Sequence, residues 1–398
     1  MYQVLVLNYK FNMRKVLIFL LLLCLSFTYC QTNAILSILD AESGTPISHA
    51  KIITLDNDIF YTNDDGKVIL PGNEKTVIVS APTYEEQQVS LSANNIIVIK
   101  LKPVYKNIDE VQITNIDIKQ LLKNILTNYL QLYYSKPSLY YGTIKQKAYL
   151  GGQINNLLVA DISIWSLANV YNFREKDNIG SFVQLGLNNI KYYKTRKRTA
   201  DYPFNTDVQI VPRDFVLKLF FNSELVGILN DTRDERINAK VAYENEDIRI
   251  VFYEARDRDI KVTYKGKFIY NKNNKLIVYF DTNVEGYEDV RKYNKKGKEY
   301  SVVNNEIYIS YDFYQNNNRY IPASIRVNGK GYALYSDRKI PFEFVQGITL
   351  HKFQESGRKG LKNKIDLTKN LTDNIPDKEI KETETLLSEE EQRFINER

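Results

Sequence analysis

The chain contains very few cysteine, histidine and tryptophan residues. Among its 398 residues there are two Cys, two His and one Trp. Cys24 and Cys30 lie inside or just after the only long apolar run, at positions 16–27, so removal of that segment leaves no thiol for catalysis, metal binding or disulfide formation. A chain of this length buries an adequate core without disulfides. Thiol chemistry and disulfide pairing are therefore not expected.

The scarcity of histidine limits metal and hydrolytic sites. A zinc carboxypeptidase site needs at least two His and a carboxylate, but His49 and His351 lie far apart and no H-E-x-x-H or H-x-x-E spacing is present. A Ser-His-Asp site would need one of the same two residues, and no G-x-S-x-G sequence occurs. Nucleotide-binding loops of the G-x-x-x-x-G-K-[ST] and G-x-G-x-x-G types are missing too. The sequence therefore offers no catalytic, metal-ligating or cofactor-binding residue, and each histidine is expected to be structural or at the surface.

The chain also has little excess charge. Its formal net charge is +6 at pH 7, which is too small over this length to predict nucleic-acid binding. The densest basic run, Lys191 to Arg198, is interpreted as a strand edge where charge blocks pairing with another chain; contact with an acidic lipid or glycan is the alternative. By contrast, 30 Tyr and 18 Phe favour β-strands, so the composition predicts a mainly β protein.

The first 30 residues have the layout of a secretory signal. Basic residues follow Met13, about twelve apolar residues follow them, and small residues stand near the end. The run is too short to span a membrane, so we expect removal of residues 1–30, translation from Met13 and no transmembrane helix in the mature chain. The protein is therefore expected to be exported to the periplasm or outer membrane. The alternative is a lipoprotein anchored through Cys30, which the bulky Tyr29 disfavours.

Residues 33–103 predict a compact seven-stranded β-sandwich, because short strands alternate with turn signals. The strongest turn signal is Asn63-Asp64-Asp65-Gly66, whose residues tolerate a positive φ. The predicted strands are Ala34–Leu39, His49–Leu55, Phe60–Thr62, Lys67–Leu70, Thr76–Ser80, Gln88–Leu91 and Ile96–Leu101.

This segment resembles the carboxypeptidase-regulatory-like domain, a transthyretin-like sandwich of envelope proteins in the Bacteroidota. The residues that carry the resemblance are Asp40, Gly44-Thr45-Pro46-Ile47, Ala50, Thr62 to Gly66, and Tyr84. The chain departs from the family pattern at Asn63, where Asp is usual, and at Pro82-Thr83-Tyr84, where Gly-Tyr is usual. The resemblance implies an accessory sandwich for folding or protein contact rather than a catalytic unit. Asn128-Tyr129-Leu130 resembles a motif from the second half of such proteins, a family that brings no established reaction.

The rest of the chain divides into a helical linker, a large β domain and a tail. Apolar residues at helical spacing from Ile116 to Leu130 predict an amphipathic helix in linker 104–139, with Asn115 or Asp117 placed to cap its first turn. Residues 140–355 predict an antiparallel, Tyr-rich β-meander with a helical interruption that begins near Pro212. The predicted strands are Tyr141–Tyr149, Asn156–Trp165, Lys240–Tyr243, Ile248–Tyr253, Lys261–Tyr270, Lys275–Asn283, Glu288–Asn294, Glu306–Phe313 and Ile321–Lys330.

The last segment, residues 356–398, is rich in charge. It contains one amphipathic stretch, Ser388 to Ile395, which opens with a Ser388-x-x-Glu391 capping box. This tail is expected either to be mobile or to form a short helix docked on the sheet.

The sequence thus favours a non-enzymatic binding or assembly protein of the cell envelope. The sandwich is expected to contact an envelope protein, and the large Tyr-rich sheet to hold an apolar or glycan ligand. One alternative is a hydrolase that acts on envelope polymers through carboxylates, for example Glu244 with Glu246 or Asp257 with Asp259; a purely structural envelope protein is the other. No cofactor is expected in any of these cases.

Overall fold

The protein is described here from a computed structural model of the full chain. The described residues are 33–71, 74–91, 96–104, 116–171, 173, 178–196, 212–232, 237–257, 262–295, 297–375 and 386–397. The predicted signal segment, residues 1–30 with Met13, Cys24 and Cys30, lies outside them.

Seven short strands form the N-terminal sandwich, as the sequence predicts. Alternate residues along them are buried and build a separate apolar core that includes Leu36, Ile38, Ile52, Val79 and Leu101. One sheet has the order β4-β1-β7 with β1 and β7 parallel, and the other has the order β3-β2-β5-β6. The strands are β1 (Ala34–Asp40), β2 (Lys51–Thr54), β3 (Ile59–Tyr61), β4 (Lys67–Leu70), β5 (Thr76–Ser80), β6 (Gln87–Ser90) and β7 (Ile96–Leu101).

The predicted turn before β4 has the expected geometry. Asn63 accepts hydrogen bonds through Oδ1 from the backbone N–H groups of Asp65 and Lys67, both at 3.0 Å. Gly66 has a φ of +70°, and a Cβ there would lie 2.7 Å from the carbonyl oxygen of Ile38. Only glycine fits both the conformation and the space. The sequence predicts His49 within the second strand, and this prediction is wrong. His49 precedes β2 and has a positive φ of 61°, which a strand does not allow.

Ten antiparallel strands form one large sheet, which confirms the predicted fold class. Its order is β10-β9-β8-β17-β16-β15-β14-β13-β12-β11, so two meanders join where β8 pairs with β17. The described part of the basic run begins at Lys191 and lies at the end of the edge strand β10, and Arg196 is the first residue after that strand. The strands are β8 (Ser138–Leu150), β9 (Gln153–Ser166), β10 (Val183–Thr195), β11 (Asn238–Glu244), β12 (Ile248–Asp257), β13 (Val262–Asn271), β14 (Leu276–Lys295), β15 (Lys298–Asn316), β16 (Arg319–Tyr335) and β17 (Arg338–Glu355).

Helices cover one face of this sheet, here called the helix face. They are α1 (Ile118–Thr127), α2 (Tyr129–Leu132), α3 (Pro212–Leu217) and α4 (Phe221–Asp231). Asp117 caps α1 by accepting the N–H of Gln120, and Pro212 opens α3, as the sequence indicates. Their buried side chains join one continuous apolar core with those of the sheet.

The sandwich and the end of the chain lie on the opposite face, here called the sandwich face. The last helix, α5 (Glu389–Asn396), begins with the predicted capping box between Ser388 and Glu391. Phe394 of α5 packs with Leu157 and Val159 of β9, so the helix is docked on the sheet. No helix in the described part of the chain is long and apolar enough to cross a membrane.

Candidate functional site: a cavity between the sandwich and the sheet

Polar side chains fasten the sandwich to the sheet. Lys51 forms an ion pair with Asp312 at 2.7 Å, and the Tyr61 hydroxyl donates to the second oxygen of the same carboxylate at 2.7 Å. The His49 ring stacks on Tyr61 with centroids 4.5 Å apart, and its Nε2 lies 2.8 Å from the hydroxyl of Ser324. The sandwich is therefore held in a defined position against strands β15 and β16.

His351 makes a second bridge between the two units. Its Nδ1 lies 2.7 Å from the carbonyl oxygen of Ile59, and its Nε2 lies 2.9 Å from the hydroxyl of Thr143. Because a carbonyl only accepts, Nδ1 carries the proton and Nε2 accepts from Thr143. Burial lowers the pKa of His351. Burial is also the main cause that lowers the pKa of His49 to about 3, and the positive charge of Arg326 adds to it. Both rings are neutral at pH 7 and bond within the interface.

A cavity of about 620 Å³ lies beside this interface. Strands β3 and β4 of the sandwich form one side of it, strands β8, β16 and β17 of the sheet form another, and Leu386 and Leu387 close part of it before α5. The volume is within the range of about 300–1,000 Å³ that is usual for small-molecule sites. Its apolar lining includes Phe60, Tyr61, Val68, Ile69, Val159 and Val345.

The polar lining of the cavity is strongly cationic. Asp64 is the one acidic residue among its described lining residues, whereas the basic ones are Lys67, Lys145, Lys147, Lys191 and Arg326. Lys145 and Lys147 are two residues apart on β8, which places both side chains on the sandwich face.

Three of these cations have acidic partners. Lys147 is only 5% exposed and contacts Asp64 at 2.7 Å and Glu391 at 3.1 Å. Burial raises the pKa of Asp64, but the charges of Lys145 and Lys147 outweigh it and bring the pKa to about 2. Glu391 is fully buried and also pairs with Lys145. Burial raises the pKa of Glu391, but the charges of Lys145 and Lys147 outweigh this effect and hold the pKa below its usual range. Lys191 pairs with Asp161 at 2.7 Å.

Arg326 has a different environment. It donates from Nε to the side-chain oxygen of Asn328 at 3.0 Å. Within the described residues its guanidinium forms no ion pair, although the charge of Asp64, which contacts Lys147, acts on it from a distance. The register places Gly347 next to it on β17, and Lys145 beyond Gly347 on β8. A Cβ at Gly347 would meet only the Ile325 carbonyl oxygen, at 3.9 Å, so there is open space above this glycine. The two cations therefore flank a slot in the sheet surface.

A larger groove of about 1,020 Å³ lies near β11, β12 and β13, but its charges are more nearly balanced: the basic residues of its described lining are Lys119, Lys240, Lys265 and Lys267, and the acidic ones are Asp117, Glu254 and Asp281. Lys267 pairs with Asp281 at 2.7 Å, and Lys265 pairs with Glu285 at 2.8 Å. Lys119 donates to the carbonyl oxygen of Thr232. This groove therefore presents less uncompensated charge to a ligand than the cavity at the interface does.

The carboxylate pairs suggested by the sequence do not line the cavity. Glu244 lies at the sheet edge, where hydrogen bonds from Arg249 and Lys272 lower its pKa to about 2. Asp259 lies outside the described residues. The site residues that the sequence did not single out are Lys145, Lys147 and Arg326, although the Lys-x-Lys spacing on a strand was visible.

Comparison with models of protein families finds no match, and comparison with curated proteins finds none either. Among solved structures, one from a study of lipid–protein interactions in lipovitellin is similar to part of the chain, with 8% sequence identity and a TM-score of 0.25. The similarity covers 58% of this chain and 27% of lipovitellin. A likeness this weak carries no argument about fold or ligand.

Proposed function

We propose that this is an exported, non-enzymatic binding protein of the cell envelope, and that its ligand occupies the cavity between the sandwich and the large sheet. One observation carries the proposal: the sandwich and the sheet, joined by Ile59, specific hydrogen bonds and an ion pair, leave a partly open cavity of about 620 Å³ between them with a substantial apolar lining. Interfaces between domains are frequent places for small-molecule sites. The sequence-based proposal placed the ligand on the Tyr-rich sheet, and the sandwich face of that sheet is the part left open.

The helix face is less suitable for a ligand. Phe221 of α4 lies against the rings of Phe280, Tyr311 and Phe313, with centroids 5.4, 5.0 and 5.1 Å away. Close packing of this kind forms a core and leaves no space for a further molecule.

The proposal is tested with the neutral, apolar fluorescent probe N-phenyl-1-naphthylamine, titrated into the chain that begins after residue 30. Gly347→Leu adds a side chain to the open space without a backbone clash, so probe affinity is expected to fall at least tenfold. Gly180→Leu is the matched control, because a Cβ at this exposed glycine meets nothing within 4 Å and the position lies away from the cavity. Equal binding by all three proteins, or no binding by the wild-type chain, would contradict the proposal.

We also propose that the sandwich contacts an envelope protein through β7, the exposed edge strand of the sheet β4-β1-β7. The inner side of β3 already contacts the large sheet, whereas Ile96 and Val98 on the edge strand β7 are 65% and 56% exposed. Exposed apolar residues on an edge strand favour protein contact. A pull-down from the native host is expected to lose one specific envelope protein when Val98→Lys is introduced, and to keep it with Leu55→Lys, a change at an exposed apolar residue outside β7.

The hydrolase alternative requires two acidic residues that converge on substrate. The described cavity lining supplies only Asp64, and two lysines hold that carboxylate in its ionised form. The structure therefore favours binding over hydrolysis at this place.

A further inference from the structure

The distribution of charge in the cavity suggests what kind of ligand it takes. Lys147, Lys191 and Lys145 have carboxylate partners in Asp64, Asp161 and Glu391. Within the described residues, Lys67 and Arg326 have no acidic partner within ion-pair distance and still line the cavity. The guanidinium of Arg326 is half-buried in the cavity wall, so an anion beside it would be favourable.

The position of Arg326 is suited to an anion. Its Nε donates to Asn328, so the two Nη groups are left to donate to a ligand. Two parallel N–H donors match a carboxylate or a phosphate better than a single ammonium does.

Gly347 supplies the room for that anion. Neighbouring strands are about 4.8 Å apart, so Arg326 and Lys145, two strands apart, have backbones roughly 10 Å from each other. Any side chain at position 347 would stand between them, and glycine leaves the gap free. An anion above Gly347 is therefore within reach of both long basic side chains.

The apolar wall of the same cavity defines the rest of the ligand. Phe60, Val68 and Ile69 of the sandwich face Val345 and Val159 of the sheet. Hydrocarbon buried there is removed from water, which is favourable in proportion to the apolar area buried. A molecule with an anionic group and a hydrocarbon body would use both parts of the lining.

We infer that the cavity binds an amphipathic anion, with its carboxylate or phosphate group above Gly347 between Arg326 and Lys145 and its hydrocarbon along the apolar wall. This inference rests on the proposed function of the cavity as a ligand site. The shared chemistry is a single-chain acid, which a free fatty acid or a phosphate-bearing lipid could provide.

The test compares three probes with the same twelve-carbon chain: dodecanoate, dodecyl phosphate and 1-dodecanol. Each is titrated by competition with N-phenyl-1-naphthylamine against the chain that begins after residue 30. At least one of the two acids is expected to bind ten times more tightly than the alcohol. Tighter binding of dodecanoate identifies a carboxylate source, and tighter binding of dodecyl phosphate identifies a phosphate source.

Variants locate the anion. Arg326→Gln is expected to weaken the preferred acid about tenfold and to leave 1-dodecanol unchanged, whereas Arg326→Lys keeps the charge and restores part of the affinity. Arg338→Gln is the control, because this arginine is exposed at the end of the β16–β17 hairpin and does not line the cavity. Unchanged binding of 1-dodecanol also reports that the Arg326→Gln protein is folded.

The outcomes separate the two levels of inference. Equal affinity of the wild-type chain for alcohol and acids, or equal weakening of all three by Arg326→Gln, overturns the anion site but leaves the cavity as a ligand site. Absence of binding by all three probes and by N-phenyl-1-naphthylamine overturns the proposed function itself. If Arg326→Gln fails to fold, the wild-type comparison of the three probes still decides the matter.

Discussion

Two adjacent rows of residues cross the same seven strands, from β13 to β9, but they face opposite sides of the large sheet. The row on the helix face is entirely buried and apolar or aromatic: Phe268, Phe280, Tyr311, Ile325, Ile348, Ile144 and Ala160. The row on the sandwich face is mostly polar: Lys267, Asp281, Ser310, Arg326, Gly347, Lys145 and Val159. Alternation along a strand separates the two sets completely.

The difference shows how one sheet provides both stability and a site. The helix face is covered by helices whose apolar side chains interdigitate with it, and such packing leaves no space. The sandwich face is joined to the sandwich by the buried Ile59 and a few directional polar contacts, which hold two surfaces together without filling all of the volume between them. Stability is therefore expected to depend mainly on the helix face, and ligand binding on the sandwich face.

The largest expected effect comes from breaking the packed face. Phe221 is completely buried among three aromatic rings, so Phe221→Ala should lower the free energy of unfolding by about 3–5 kcal/mol. Phe60→Ala, on the partly open wall of the cavity, should cost clearly less. Urea denaturation of both variants checks the comparison, and equal losses would show that the two faces contribute alike.

Breaking the ion pair that joins the sandwich to the sheet should have the next largest effect on the free energy of unfolding. Lys51→Met removes the partner of Asp312 and leaves a mostly buried carboxylate with the Tyr61 hydroxyl alone, at a cost of about 2–3 kcal/mol. The double variant Lys51→Met, Asp312→Asn should recover part of this loss, because no unpaired charge remains. A urea-denaturation cycle of the two single variants and the double variant measures the coupling; additive losses would contradict a direct pair.

The interface histidines should make stability depend on pH. The pKa of His49 is lowered to about 3 in the folded state, against about 6.5 when unfolded, so the unfolded chain binds more protons between these values. Stability is thus fully present above pH 6.5 and falls as the pH decreases towards 3, by up to about 1.4 kcal/mol per pH unit for this residue. The lowered pKa of His351 acts in the same direction.

His49→Asn isolates this contribution, since asparagine tolerates the positive φ at position 49. Melting temperatures between pH 7.5 and 4.5 should decrease less steeply in the variant than in the wild-type chain. This range lies above the pH at which Asp64, with a pKa of about 2, begins to take up protons in the folded state. An unchanged slope would show that His49 does not titrate on unfolding as described.

Much of this fold was predictable from local patterns. The seven sandwich strands, the Pro212 start and the Ser388 capping box depend on neighbouring residues, and the sequence predicts them correctly. For the cap of α1 the sequence offered Asn115 or Asp117, and Asp117 is the residue that caps the helix. Strand β10 was missed because two register shifts interrupt its alternation. Strand β17 was missed although every second residue from Ile340 to Leu350 is buried; it contains Pro341, which disfavours a strand, and a register shift after Leu350. Strand β14 was predicted as two strands because its register breaks between Glu285 and Asp289.

The cavity could not be predicted from the sequence. It depends on contacts between residues such as Lys51 and Asp312, or Ile59 and His351, which are hundreds of positions apart. The spacing of Lys145 and Lys147 predicts that they share a face, but not what lies opposite them. The space next to Gly347 exists only because the sandwich is seated on that side of the sheet.

The smallest expected effect on stability and binding concerns α5, which is docked on the sandwich face of the sheet. Ser388→Ala removes the oxygen that accepts the N–H of Glu391, which should destabilise the helix start by about 1 kcal/mol. Because Glu391 pairs with Lys145 and Lys147, loosening α5 also exposes these cations and should raise the affinity for an anionic probe modestly. Hydrogen exchange of residues 386–397 together with dodecanoate titration measures both changes. Faster exchange without any change in affinity would show that α5 packs beside the anion site without competing for its cations, which would confine the comparison of the two faces to the sheet and the sandwich alone.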